Sequence, residues 1–246
     1  MSVQERESGE SSVDRRPRYV HTGSWPELIS SLGICIAATT YQAGHVLAFS
    51  AVDGRSSLLI RAFPHPMGLA VAKGYLGLLS RNQVWEFINQ PDLVDRSGGR
   101  VPYDAYYVPR RSHVTGDIAG HEIAWGRGED GIAEMWVVNT RFSCLCTLHP
   151  RWSFVPRWRP PFITEIQPGD RCHLNGLAMG FDGRPRYVTA LGETNETQGW
   201  REGRACGSSR PMCPFPTPPG WRCSGSSPPR SCARRCWRRR ERRTRW

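Results

Sequence analysis

Apolar residues in this chain fall in short runs split by Gly- and Asp-containing turns, and three of these runs share one plan. Pro66-Met67-Gly68-Leu69-Ala70 leads through Lys73-Gly74 into Tyr75-Leu76-Gly77-Leu78-Leu79. His121-Glu122-Ile123-Ala124-Trp125 leads through Glu129-Asp130-Gly131 into Met135-Trp136-Val137-Val138. His173-Leu174-Asn175-Gly176-Leu177-Ala178 leads through Phe181-Asp182-Gly183 into Arg186-Tyr187-Val188-Thr189. The aliphatics Leu69, Ile123 and Leu177 mark a period of 54 residues, taken twice. One hairpin per unit at a fixed period is the mark of repeat architecture, and this period suits β-propeller blades. The expected fold is all-β, with propeller-like four-stranded blades.

Ser24-Trp25-Pro26-Glu27 opens the ordered part as an N-cap followed by Pro, with a short helix through Leu28, Ile29 and Leu32 ending at Gly33. Runs at 34–41, 46–51 and 57–63, broken at Gln42-Ala43-Gly44 and Asp53-Gly54-Arg55, predict a three-stranded meander. That first blade has no innermost strand of its own; in propellers such a blade is commonly completed from the C-terminus. The second unit adds Val84–Phe87 and an outer strand at Tyr106–Val108, stopped by Pro109. The third adds Cys144–Leu148 and an edge strand at Phe154–Trp158, where Pro156 is tolerated. The fourth fades near Trp200, which leaves about three and a third blades and an incomplete ring.

Charge changes the picture only at one end. Residues 203–246 hold twelve Arg against Glu241 alone, which accounts for the whole net charge of +11, and the first 202 residues balance 21 basic against 21 acidic groups. The same stretch has no Val, Ile or Leu but seven Pro and five of the nine Cys, so it is expected to be a disordered tail without a core. Such a mixture is what out-of-frame translation of GC-rich DNA gives, and the tail is read as a frameshift or gene-calling product. The rival reading is a basic arm, Arg234 to Arg245, for nucleic acid or anionic lipid; nucleic acid would have to be bound there, since the body is neutral. Tail cysteines lack zinc-site spacing. Residues 1–23 are expected to be disordered, 24–202 to form the partial propeller domain, and 203–246 to form the tail. Neither a secretory signal nor a membrane span is present, which makes the cytoplasm the default and keeps Cys35, Cys144, Cys146 and Cys172 reduced.

The body resembles a bacterial family of conserved hypothetical proteins, a domain of unknown function with propeller-like repeats. The likeness rests on Thr40-Tyr41-Gln42-Ala43-Gly44, Pro66–Ala70, Thr115-Gly116-Asp117, Val138–Leu145, Trp158–Ile163, Asp170–Leu177 and Tyr187–Glu193, in that order, between Trp25 and Glu202. It implies no established activity. A looser likeness is chemical. Asn175-Gly176-Leu177-Ala178 with Asp182-Gly183 and Tyr187-Val188 resembles the metal-ligand blade of the gluconolactonase and senescence-marker-protein propellers. That likeness implies that Asn175 and Glu122 hold a divalent cation, although Glu122 stands one place late and Met67 fills the second-blade entry with a poor ligand for a hard cation.

Repeat-equivalent positions surround one axis, so His121, Glu122, His173 and Asn175 are expected to converge. Asn139 and Arg141 would offer an amide and a guanidinium to an anionic ligand. The bland alternative has Asn175 and Asp117 holding turns and the histidines capping strand ends. Gly126–Gly131 spells a dinucleotide pattern but leads into a strand, so it is a hairpin turn. Cys144, Cys146 and Cys172 are expected to be inert buried thiols, and Trp125, Trp136, Trp152 and Trp158 to pack between blades. The leading functional expectation is a non-enzymatic ligand-binding or interaction scaffold for a small molecule or protein. The enzymatic alternative is a metal-dependent lactonase-like hydrolase in which His121 or His173 moves protons. No cofactor is established; a divalent cation is the candidate.

Overall fold

The computed structural model of the chain describes residues 19–93, 105–127, 133–202 and 210–212. Helix α1 (Trp25–Leu32) carries Pro26 in its first turn and ends where Gly33 takes a left-handed backbone (φ 58°, ψ 40°). Ser24 occupies the N-cap position but makes no side-chain capping bond. Pro26 and Ile29 are buried, whereas Leu28 and Leu32 face outward.

Four antiparallel sheets follow. The first comprises β1 (Ile36–Thr40), β2 (His45–Val52) and β3 (Arg55–Ala62). The second runs β4 (Leu69–Ala72), β5 (Tyr75–Ser80), β6 (Gln83–Asn89) and β7 (Tyr107–Val114), and the third β8 (Gly120–Arg127), β9 (Ala133–Asn139), β10 (Cys144–His149) and β11 (Trp152–Trp158). The fourth holds β12 (Leu174–Met179), β13 (Pro185–Ala190) and β14 (Arg210–Met212). In each repeat the marker aliphatic sits on the inner strand and pairs with the second: Leu69 with Leu78, Ile123 with Val137, Leu177 with Val188. Sheets meet in chain order through these strands, β1 beside β4, β4 beside β8, β8 beside β12.

Among the described residues no strand lies inside β1 in the first sheet, in keeping with the sequence reading. Three expectations change. Strand β7 does not stop at Pro109 but continues to Val114, because it is an outer strand where a missing N–H is tolerated; the ladder slips by a bulge opposite Glu86 and Phe87. Residues 210–212, expected to be disordered with the rest of the tail, pair with Val188–Ala190 as a third strand of the fourth sheet, and Met212 packs on the last core cluster. At the other end, Tyr19 lies edge-on to Phe49 of β2, so ordered chain begins before residue 24. Residues 1–18 and most of the tail lie outside the described residues.

Strand β9 explains why the sheets stack. Alternate side chains of a strand point to opposite faces. Met135 and Val137 enter one cluster with Ala70, Leu79, Val84 and Ile123 from the neighbouring strands, while Trp136 and Val138 enter another with Leu145, Leu174 and Val188. Each buried Val or Leu contributes about 1.5–3 kcal/mol. Trp125 meets Tyr75 across the second and third sheets, and Trp158 packs on the second cluster, but Trp152 is 65% exposed. The inner strands approach so closely that a Cβ on Gly68 would lie 2.7 Å from the Ile123 nitrogen. Only glycine fits there.

Candidate functional site

Each inner strand is entered through a residue held in left-handed backbone: His65 (φ 44°), Ala119 (φ 46°) and His173 (φ 50°). These stand one repeat apart, so the same turn recurs at the same end of successive sheets. Non-glycine residues there cost of order 1–3 kcal/mol, which only a well-determined surrounding sustains. That end, called the mouth below, gathers the polar side chains of all four sheets.

On one side lies a locked ring pair. His121 Nδ1 stands 3.0 Å from the Ala119 carbonyl and 2.9 Å from Thr140 Oγ1. A carbonyl only accepts, and Thr140 spends its single proton on the Leu174 carbonyl at 2.6 Å, so Nδ1 carries the hydrogen and Nε2 keeps its lone pair. The ring meets His173 edge to face at 4.7 Å between centroids. His173 Nδ1 in turn donates to Asp170 Oδ2 at 2.8 Å, and the Trp200 indole N–H donates to the same oxygen at 3.0 Å. Trp200 also lies against His173 at 4.2 Å. Burial is the main influence on His121 and pulls its pKa below 6.5, with nearby His173 acting the same way; the Ala119 hydrogen bond and Asp170 oppose it.

On the other side lies a cleft of about 170 Å3 lined by Tyr41, His65, Arg81, Asp117, Ala119, Gly120 and His121, drawn from three sheets. Tyr41 and His65 rings stand 4.9 Å apart. Asp117 Oδ2 is shared by two guanidiniums, Arg141 at 3.3 Å and Arg81 at 3.7 Å, while its Oδ1 accepts the Ala119 N–H. His65 Nδ1 is shut off from solvent with no hydrogen-bond partner among the described residues. Leaving such a group unpaired costs about 1–3 kcal/mol, and each instance calls for an explanation. Two larger depressions, beside α1 and over Ile36 and Phe49, have few converging polar groups. Chemistry favours the smaller cleft.

The structure distributes the anticipated residues unevenly. His121 and His173 come into ring contact, and Arg141 stands at the rim on Asp117. Glu122 turns its carboxylate to the Ile123 N–H, and burial raises its pKa from 4.5. Asn139 is fully buried, where its Oδ1 accepts the Phe142 N–H and holds the β9–β10 turn. Asn175 is half-buried on β12. Among the described residues, no three His, Cys, Asp or Glu side chains are grouped to hold a metal ion. Cys144, Cys146 and Cys172 are buried free thiols; burial pushes Cys172 up to about 11 and Cys146 well above 9.0, with Cys144 adding to the latter shift.

Sequence reasoning passed over His65, Arg81, Asp170 and Trp200. His65 had a signal, since it stands two repeat lengths before His173. Asp117 holds its turn through the Ala119 N–H, as its residue type suggests, and also carries the two ion pairs, which the sequence does not signal. No helix among the described residues is long and apolar enough to cross a membrane. A search of curated proteins found no match. A family model matches residues 23–209, taking in all four sheets up to the start of β14, and the chain therefore belongs to the family described as Domain of unknown function (DUF4915).

Proposed function

We propose that the protein is a non-enzymatic binding scaffold that holds a small ligand at the mouth. The cleft between Tyr41, His65, Arg81, Asp117 and His121 carries this reading, because three separate sheets bring polar groups to one concavity. Its size suits a compact polar molecule or one functional group of a larger one; drug-sized ligands occupy roughly 300–1,000 Å3. A thermal-shift screen of small polar metabolites, neutral and charged, tests it. Stabilisation by a ligand that is lost in both His65→Ala and His121→Ala supports the reading. A screen in which every shift survives both substitutions removes it.

A hydrolytic second reading draws on Asp170–His173, where a carboxylate orients an imidazole and leaves Nε2 as a base. In its metal-dependent form Glu122 and Asn175 would hold the cation. Calorimetric titration with calcium, manganese and zinc tests that form, and an unchanged affinity in Asn175→Ala would sink it.

A further inference from the structure

The geometry points to a small oxyanion bearing a hydroxyl, such as a hydroxycarboxylate or hydrogen phosphate, as the ligand of this cleft, with Asp117 as the internal anion it displaces. The inference rests on the binding-scaffold reading and names its ligand class.

Three observations meet. First, Arg81 and Arg141 share one carboxylate, so this side of the mouth sets two positive charges against one negative; the distances of 3.7 and 3.3 Å are longer than those of a tight charge-assisted bond. Asp117 sits where an incoming carboxylate or phosphate would sit, and its other oxygen is tied to the Ala119 N–H. Second, His65 lines the cleft beside Tyr41, and its Nδ1, shut off from solvent in the present side-chain position, has no hydrogen-bond partner among the described residues. Third, His121 has committed Nδ1 to Ala119 and Thr140, so the nitrogen left for a ligand is Nε2, an acceptor while the ring is neutral. A lone pair repels a bare anion but accepts from a hydroxyl. Guanidiniums for the charge and an imidazole acceptor for an O–H together select a ligand carrying both groups.

Asp117 competes with such a ligand for the same cations, which gives the proposal an unusual signature. Removing the charge while keeping the Oδ1 acceptor, as Asp117→Asn does, should tighten binding, whereas removing Arg81 should weaken it. Isothermal titration of the full chain at pH 7.5 with inorganic phosphate, glycolate, acetate and glycerol separates the cases. We expect glycolate or phosphate to bind, acetate to bind about tenfold more weakly than glycolate, and glycerol not to bind. Whichever of phosphate and glycolate binds identifies the source of the oxyanion. Arg81→Met should lose at least tenfold, with Arg141→Met as the second variant, and Asp117→Asn should gain severalfold. Glycerol binding as well as glycolate, or an affinity indifferent to Arg81, Arg141 and Asp117, overturns the oxyanion. If a neutral ligand then depends on His65 and His121, the scaffold reading stands alone; if nothing depends on either histidine, both fall.

Discussion

The two sides of the mouth are built from equivalent turns yet finish in opposite states. Around His173, Asp170 accepts from both an imidazole and an indole, and Trp200 covers the ring. Around His65, the turn has the same left-handed backbone, but a ring nitrogen has no hydrogen-bond partner among the described residues and the nearby carboxylate is shared between two guanidiniums. Repetition of backbone therefore does not repeat function. A side chain arriving from elsewhere decides whether the turn is sealed or open, and Trp200 is that side chain for the fourth sheet. Its fit is close: a Cβ on Gly192 would lie 3.0 Å from the Trp200 Cα.

The contrast can be broken hardest at Trp200, which is only 4% exposed. Trp200→Ala removes a buried aromatic and leaves Asp170 one donor short, so a loss of about 3–5 kcal/mol is expected in urea unfolding. A loss below about 1 kcal/mol would mean that the sealed side is not sealed by this residue. Beneath both sides, Gly68→Ala forces the second and third sheets apart against backbone atoms. A destabilisation of about 1–3 kcal/mol should appear in the same experiment.

Acid should act mainly through the sealed side. His121 is harder to protonate in the fold than its ordinary 6.5, so below that pH the unfolded chain binds more protons and stability falls as pH drops toward the lower folded value. Glu122 works in the opposite direction at lower pH. Its folded pKa lies above 4.5, so the fold takes up that proton first and regains stability as pH falls through the window just above 4.5. In His121→Gln the decline of the urea midpoint just below pH 6.5 should flatten, and an unaltered slope would assign it to other groups. The smallest effect belongs to the open side. Asp117 and its arginines are partly exposed, so Asp117→Asn should move stability by less than about 0.5 kcal/mol.

How far the sequence led depends on which forces were local. The 54-residue period placed the inner strands, since strand alternation and tight turns are written in neighbouring residues, as Leu69, Ile123 and Leu177 show by each pairing with the next strand of its sheet. Pro109 misled because a break in local propensity matters less on an outer strand than inside a sheet. Residues 210–212 misled because composition forecasts a core, not three backbone pairings borrowed from β13. Within the site, His121 and His173 were legible as repeat positions, but the burial of Asn139 and its hold on the Phe142 N–H come from tertiary packing and the β9–β10 turn.

What the sequence determined by itself is the repeat: strand, turn and strand at a fixed interval, a first sheet of three strands whose own stretch of chain supplies no innermost one, and a neutral body with its surplus charge confined to the tail. What only the tertiary structure decided is which polar groups meet. Arg81 and Arg141 lie 60 residues apart and share one carboxylate, and Trp200 reaches back 30 residues to hold Asp170. Alternation needs only neighbours along the chain, whereas the partner of a charge or a ring nitrogen is fixed by the packing of one sheet on the next, where a missing methyl group at Gly68 sets the distance.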